Sequence, residues 1–298
     1  MKKTLTIFTP TYNRAYCLGQ CYDSLVRQDN QDFLWLIIDD GSSDNTKEVV
    51  NHWIEENKIA IHYHYQENTG MHGGHNKAYD LIETELNVCI DSDDFMPDDA
   101  VDKVLTFWQK AEKGNNIAGV IGLDSYKNGE IIGKKFPNHL VSETLENIYN
   151  IHHIYGDKKI VYRTEIVNKY PRYPIFEGER FVPLGTLYLL IDKDYELLCL
   201  NEVLCIVEYM EDGSSRNIIK QYRRHPKGFR YARMLTMKKS NFFKVRLKST
   251  VHYISHSIFL KDWNMLFRSP KPILTFLCFP IGVFLYFYVV FKTRDMKN

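Results

Sequence analysis

The sequence predicts an α/β protein with a doubly wound, mostly parallel sheet, followed by a basic helical arm and an apolar C-terminal segment. Three observations lead there. Short apolar runs alternate with amphipathic stretches as far as Leu123, the rhythm of strand–helix–strand units. Three of those runs end in polar clusters: Thr9–Arg14 (TPTYNR), Asp39–Asp44 (DDGSSD) and Asp91–Asp94 (DSDD). In open parallel sheets, ligands bind outside the carboxyl ends of the strands. The third observation is a charge split hidden by a net charge of +1. Residues 1–212 carry 20 Lys and Arg against 35 Asp and Glu, a net of −15; residues 213–298 carry 18 against 2, a net of +16. That pattern suggests an acidic body and a separate basic arm with an anionic partner.

Leu5–Phe8 reads as the first strand, broken by TPTYNR. A helix follows to about Gln28, with Leu18, Cys21, Leu25 and Val26 on one face. Phe33–Ile38 is a second apolar strand. Asn45 and Glu48 have capping-box spacing for a helix running to about Asn57. Ile59–Tyr65 alternates as a third strand, and Gly70–Glu85 reads as helical after a Gly/His-rich entry. Val88–Ile90 is the strand that ends in DSDD. Asp98–Lys113 is amphipathic, Ala118–Leu123 is another strand, and Phe181–Ile191 is a later helix.

The DSDD cluster organises this reading. Carboxylates gathered at the end of a strand repel one another and cost folding energy unless a cation joins them. Hard oxygen ligands at that density suit Mg²⁺ or Mn²⁺, which complete their shells with phosphate and water. The competing reading is a solvated acidic turn before a helix. Three aspartate-rich or polar ends along one sheet edge favour the ligand site.

Other classes fit less well. The first turn lacks the G-x-G-x-x-G of dinucleotide sites, and no P-loop is present. Cys17, Cys21, Cys89, Cys199, Cys205 and Cys278 have no zinc-ligand spacing and read as reduced thiols of a cytoplasmic protein. Met1–Lys3 mimics the charged start of a signal peptide, but the stretch after it is too short and polar for an export signal. His62 and His64 share a strand face without an identifiable third ligand.

Taken together, TPTYNR, the strand ending IIDDGSSD, the segment Asn68-Thr69-Gly70 through His75-Asn76, and DSDD resemble the family 2 glycosyltransferases in order and separation. The resemblance covers Leu5 to about Ser215. It implies the GT-A fold, inverting chemistry and a nucleotide-activated sugar as donor, most simply a UDP-sugar. It also implies that Pro10, Thr11, Tyr12 and Arg14 line the nucleotide pocket, with Tyr12 against a pyrimidine ring. Asp40 would accept from uracil N3–H with Asp39 behind it, while Asn68, Gly70, Asn76 and Lys77 stand on the diphosphate side. Asp93 would bind the metal, Asp91 the ribose or a metal-bound water beside Ser92, and Asp94 would be a second ligand. Departure of the nucleoside diphosphate builds charge that a divalent ion stabilises.

An acceptor hydroxyl needs a general base. Tyr173–Phe181 (YPIFEGERF) resembles the acceptor-side motif, with Glu179 as candidate base and Glu177 in reserve; Arg180 stands where the family usually has Asp. Glu179 could instead only complement a helix N-terminus. A histidine that many members carry before a Gly-x-Ser loop is missing from Glu208–Ser215, where Glu211 or Asp212 falls.

Arg216–Lys248 is rich in Lys and Arg interleaved with aromatics, a composition shared with nucleic-acid binders. The next feature argues against nucleic acid. Pro272–Phe291 is 20 residues without a charge, long enough to cross a bilayer. A basic stretch beside it implies anionic lipid on the cytoplasmic membrane face. Pro280, Gly282 and the basic flank at Lys292, Arg294 and Lys297 also allow a re-entrant or interfacial segment.

The expected organisation is a catalytic domain over 1–215, split at about 99 into nucleotide-sugar and acceptor halves, a basic arm over 216–270 and a membrane-associated segment over 271–298. The expected function is transfer of a sugar to a growing, lipid-linked cell-surface glycan such as a capsule polysaccharide. The rivals are a catalytically silent membrane scaffold and a sugar-phosphate nucleotidyltransferase, which would carry a glycine-rich triphosphate loop after the first strand.

Overall fold

The computed structural model describes residues 3–112, 114–208 and 217–296. The chain divides into two compact units, one of Met1–Pro171 with Asp194–Met210, the other of Arg172–Lys193 with Glu211–Asn298. In chain order the first unit contains β1 (Leu5–Thr11), α1 (Ala15–Val26), β2 (Phe33–Asp39), α2 (Thr46–Glu56), β3 (Ile61–Tyr65), α3 (Met71–Leu81) and β4 (Leu86–Cys89). It continues with α4 (Ala100–Lys110), β5 (Ile117–Ser125), β6 (Ser142–Glu143), α5 (Leu145–Asn150), β7 (Lys158–Arg163) and α6 (Thr164–Val167). After α7 (Gly185–Ile191), which belongs to the second unit, β8 (Glu196–Ile206) completes the sheet. The second unit then runs through α8 (Ile218–Arg224), α9 (Pro226–Lys239), α10 (Phe243–Phe259), α11 (Met265–Arg268) and α12 (Pro272–Lys292).

The eight strands form one sheet in the order β3-β2-β1-β4-β7-β5-β8-β6. The pairs β2–β3, β1–β2, β1–β4 and β5–β8 are parallel, whereas β7 runs antiparallel between β4 and β5. The expected mostly parallel α/β sheet is therefore present.

Strand β1 puts Leu5 and Ile7 into the core, and β2 adds Phe33, Trp35 and Ile37. Helix α1 covers them with the Leu18, Cys21 and Leu25 face that its periodicity predicts. Tyr22 stacks on Trp53 of α2 with ring centroids 4.4 Å apart. Trp35 closes the group while its indole N–H donates to Thr9 Oγ1 at 3.0 Å, so no ring nitrogen is left bare.

Two element expectations differ in detail. Asn45 stands at the N-cap of α2 without a side-chain bond; Asp44 Oδ1 instead accepts from Thr46 N and Oγ1, an Asx turn just before the helix. Residues 181–184 are not helical, and α7 starts only at Gly185, after Pro183.

Candidate active site

The β1, β2 and β4 ends are neighbours in the sheet, so the three polar clusters meet at one edge. The first two are laced together. Asn13, at φ +52, accepts from Ser43 N at 2.7 Å through Oδ1 and donates its own N–H to Ser42 Oγ at 2.9 Å. Asp40 N donates to Thr11 O at 2.8 Å. Between these ties lies Thr11, whose buried Oγ1 has no hydrogen-bond partner among the described residues. An orphaned hydroxyl is costly unless a ligand satisfies it. Beside it Tyr12 is 50% exposed, a flat ring at the mouth of the cluster. Pro10 and Arg14 are half-buried on either side of this pair.

The aspartates of β2 hold loops. Asp39 accepts from Ser42 N at 2.8 Å and from the Tyr63 hydroxyl at 2.6 Å. Asp40 Oδ1 accepts from Gln66 Nε2, Thr69 N and Thr69 Oγ1, and its Oδ2 accepts from Gly70 N at 2.7 Å. The carboxylate expected to meet a base thus clamps the loop that enters α3. Gly70 tolerates this clamp because its φ of +85° suits a residue without Cβ. Asn68, Asn76 and Lys77 are half-buried beyond it. His64 on β3 has its proton affinity lowered first by burial and then by the Lys77 charge.

The DSDD turn is closed by Asp94 N donating to Asp91 O at 3.0 Å. Gln20 of α1 donates to the Asp93 carbonyl at 2.6 Å. Asp91 and Asp93 are half-buried, whereas Ser92 and Asp94 are buried. Asp94 turns inward: Oδ1 accepts from Glu208 N at 3.1 Å, and Oδ2 lies 4.0 Å from Lys159 Nζ of β7. Burial raises the Asp94 carboxyl above its ordinary range, and Asp124 of β5 is pushed up to about 6 by the same cause. Burial acts to lower the pKa of the lysine beside them, but Cys205, Asp124, Asp94 and Asp91 together outweigh it and raise that pKa above the ordinary lysine range. Lys159 is the residue the sequence did not flag, since it follows Lys158 at the charged start of β7 and no local pattern sets it apart. Behind Asp91, Cys89 Sγ lies 3.7 Å from its Oδ1 and 3.6 Å from His75 Nε2, and burial lowers His75 to about 4, leaving it neutral.

No three His, Cys, Asp or Glu side chains among the described residues are grouped to enclose a metal ion. Asp91 and Asp93 still fit a cation that takes its other ligands from phosphate and water, the usual mode for Mg²⁺. Asp94, the other expected ligand, has its oxygens directed at Glu208 N and Lys159 Nζ.

In the second unit, Glu179 is buried and accepts from Lys227 N at 2.8 Å and Gly228 N at 2.9 Å. It caps the first turn of α9, a different helix from the one expected to follow it. Burial raises its pKa, while the two backbone bonds act against that. Glu177 is exposed. Most of Glu208–Ser215, with Glu211 and Asp212, lies outside the described residues.

The model of glycosyl transferase family 2 matches residues 6–170, more than half of the chain. The chain belongs to glycosyl transferase family 2. An uncharacterized glycosyltransferase of Haemophilus influenzae is 30% identical over 103 residues, 35% of this chain and 41% of that protein. The GalNAc(5)-diNAcBac-PP-undecaprenol beta-1,3-glucosyltransferase of Campylobacter jejuni is 32% identical over 112 residues, 37% of this chain and 35% of that protein. These matches span less than half of each relative's length. Among solved structures, S. aureus TarS 1-349 in complex with UDP-GlcNAc superposes with a TM-score of 0.61 at 15% identity, covering 98% of this chain and 92% of that one. A mannosyltransferase from Pyrobaculum calidifontis in complex with GDP-Man and Mn²⁺ gives 0.55 at 15% identity, covering 100% and 77%. The GT-A fold and the family expected from the motifs are thus both present.

Proposed function

We propose that this glycosyltransferase is inverting and moves a sugar from a UDP-sugar to a hydroxyl of a growing, lipid-linked cell-surface glycan at the cytoplasmic membrane face. The observation that carries this reading is the sheet edge where orphaned Thr11 Oγ1, exposed Tyr12 and the half-buried Asp91–Asp93 pair stand on adjacent strand ends. Support for the donor comes from the TarS structure with UDP-GlcNAc, and for a lipid-linked acceptor from the undecaprenol-named relative.

In this proposal Tyr12 stacks on the base and Thr11 Oγ1 gains the partner it lacks. Asp40 acts by fixing Thr69 and Gly70 beneath the donor, with Asp39 bracing the loop after β2. Asn68, Asn76 and Lys77 flank the diphosphate. Asp91 and Asp93 would hold Mg²⁺ or Mn²⁺, which supplies Lewis-acid stabilisation of the leaving diphosphate. Glu179 is the proposed base. Two backbone N–H bonds fix its orientation, each oxygen keeps a further lone pair, and burial raises its affinity for the acceptor's proton. The family catalytic domain reaches to about residue 215, with a basic arm and a membrane-associated segment beyond it.

The deciding experiment incubates the full-length protein with a panel of UDP-sugars, with and without Mg²⁺ or Mn²⁺, and measures UDP release. Ion-dependent hydrolysis of one sugar is expected. Inertness towards every UDP-sugar with either ion would overturn the donor assignment, and inertness towards GDP-sugars as well would favour the silent scaffold.

A further inference from the structure

Helix α12 is long and apolar enough to cross a membrane, but it is tied down along its whole length within the second unit. At its start, Thr275 Oγ1 meets Ser269 Oγ at 2.6 Å. Cys278 joins a buried cluster with Tyr253, Ile254 and Met265. At the midpoint, a Cβ on Gly282 would lie 2.5 Å from Ile254 Cβ, so only glycine lets α12 sit this close to α10. Further on, Tyr286 packs on Phe259 with ring centroids 4.6 Å apart. Just past its end, Thr293 O accepts from Arg223 Nη1 of α8 at 2.9 Å.

The rest of the helix surface is bare. Ile273 is 79% exposed, Phe276 68%, Phe284 72% and Phe291 61%. Beside this face a groove of about 540 Å³ runs between α10 and α12, with Leu247, Val251 and Leu285 in its walls and Lys244 and Lys248 among its lining residues. Lys271, Lys292 and Arg294 stand exposed at the two ends of α12. An apolar face framed by cations matches the acyl region and the anionic headgroups of a bilayer surface.

We propose that α12 does not span the membrane but lies in its plane, exposed face in the acyl boundary of an anionic bilayer and both ends on the same side. A spanning α12 would put Gly282 at the bilayer centre and carry α10 with it. Arg246 and Lys248, eight and six residues before Ile254 on α10 and so about 12 and 9 Å along it, would then enter hydrocarbon, where each charge is strongly disfavoured. The Arg223–Thr293 bonds would also have to break or cross. A helix of 21 residues, about 31 Å long, has the span of a transmembrane segment; its attachments, not its length, decide the orientation.

The test adds full-length protein to preformed phosphatidylglycerol-containing vesicles and labels it with a membrane-impermeant maleimide, reading each site by mass spectrometry. In floated vesicles, Lys271→Cys and Asp295→Cys should both label before detergent, while Phe284→Cys is shielded. Either end labelling only after detergent would mean a span and overturn the proposal. So would full labelling of Phe284→Cys on vesicles, or its shielding without vesicles in a protein that sediments as a dimer, since a second copy would then cover the face. Lys244→Glu with Lys248→Glu should weaken vesicle binding roughly 30-fold at low salt, and unchanged binding would remove the charge argument. Donor hydrolysis is read separately, so failure here leaves the glycosyltransferase reading intact.

Discussion

Around the end of β4, Asp91 and Asp94 share the ammonium of Lys159 with Asp124, and that lysine is largely buried with its side chain 13% exposed. The second unit is arranged the other way. Over its residues 217–296 the described acids are Asp262, engaged by Arg230 at 2.7 Å and Arg268 at 3.1 Å, and Asp295 near the end of the chain. Lys244, Arg246 and Lys248 have no acidic partner among the described residues. The acidic cluster at the end of β4 thus has a counter-ion of its own inside the sheet. The basic region has no such internal compensation, and its charge is available to an external anion. An internally balanced cluster is a preorganised site; an unbalanced one is an adhesive surface.

The sharpest way to break that contrast is Lys159→Met. Removing the cation leaves three carboxyls facing one another, and breaking a buried pair in this way costs about 3–5 kcal/mol. Urea unfolding should show the loss, and adding Asp124→Asn should recover part of it, because the two sites are coupled. A single variant as stable as the parent would mean that Lys159 does not hold the cluster together.

This balance marks the limit of what the sequence discloses. Strands β1, β2 and β4 were legible because each is an uninterrupted apolar run ending in a polar cluster. Strand β7 was not, since it begins Lys158-Lys159 and earns its place by antiparallel pairing with β4, more than 70 residues away. Asp40 was legible as a site residue but not in its task, because Gln66, Thr69 and Gly70 reach it from 26 to 30 residues on. Glu179 stood out beside a helix start, yet the helix it caps begins with Pro226, next to Lys227 and Gly228, 48 and 49 residues later. Local pattern discloses strand ends; it does not disclose which distant donor a carboxylate meets.

Glu179→Gln should lower kcat by about 10²–10⁴-fold, the range for a lost general base, with UDP affinity nearly unchanged. An amide must also turn an N–H toward Gly228 N or Lys227 N, so a stability loss of about 1–3 kcal/mol should accompany it. Glu177→Gln is the control and should alter neither. If Glu177→Gln alone abolishes transfer, the base lies two residues earlier and Glu179 is a helix cap.

Asp93→Asn tests the outward half of the acidic cluster. Transfer should fall by about 100-fold or more as the cation loses a ligand, while the fold survives or gains slightly from reduced repulsion. Near-normal ion-dependent turnover would sink the assignment of Asp93.

The smallest effect is a pH dependence set by Asp124. Its folded pKa of about 6 lies above the ordinary 3.8, with burial as the main cause and Lys159 acting against it. The folded protein therefore holds this proton more tightly than the unfolded chain does. The resulting stabilisation is complete below about pH 4 and is lost as pH rises through about 6. Its size is at most about 3 kcal/mol, and Asp94, also raised, acts in the same direction. Asp44 and Glu143 have lowered pKa values and act oppositely, losing their contribution in acid; that part is common to parent and variant. Urea midpoints measured at about pH 5 and pH 8 with a chelator present should show the parent losing stability between them and Asp124→Asn losing less. Equal losses in the two proteins would mean that Asp124 is already ionised beside Lys159 at the lower pH, and that the lysine, rather than burial, governs the cluster.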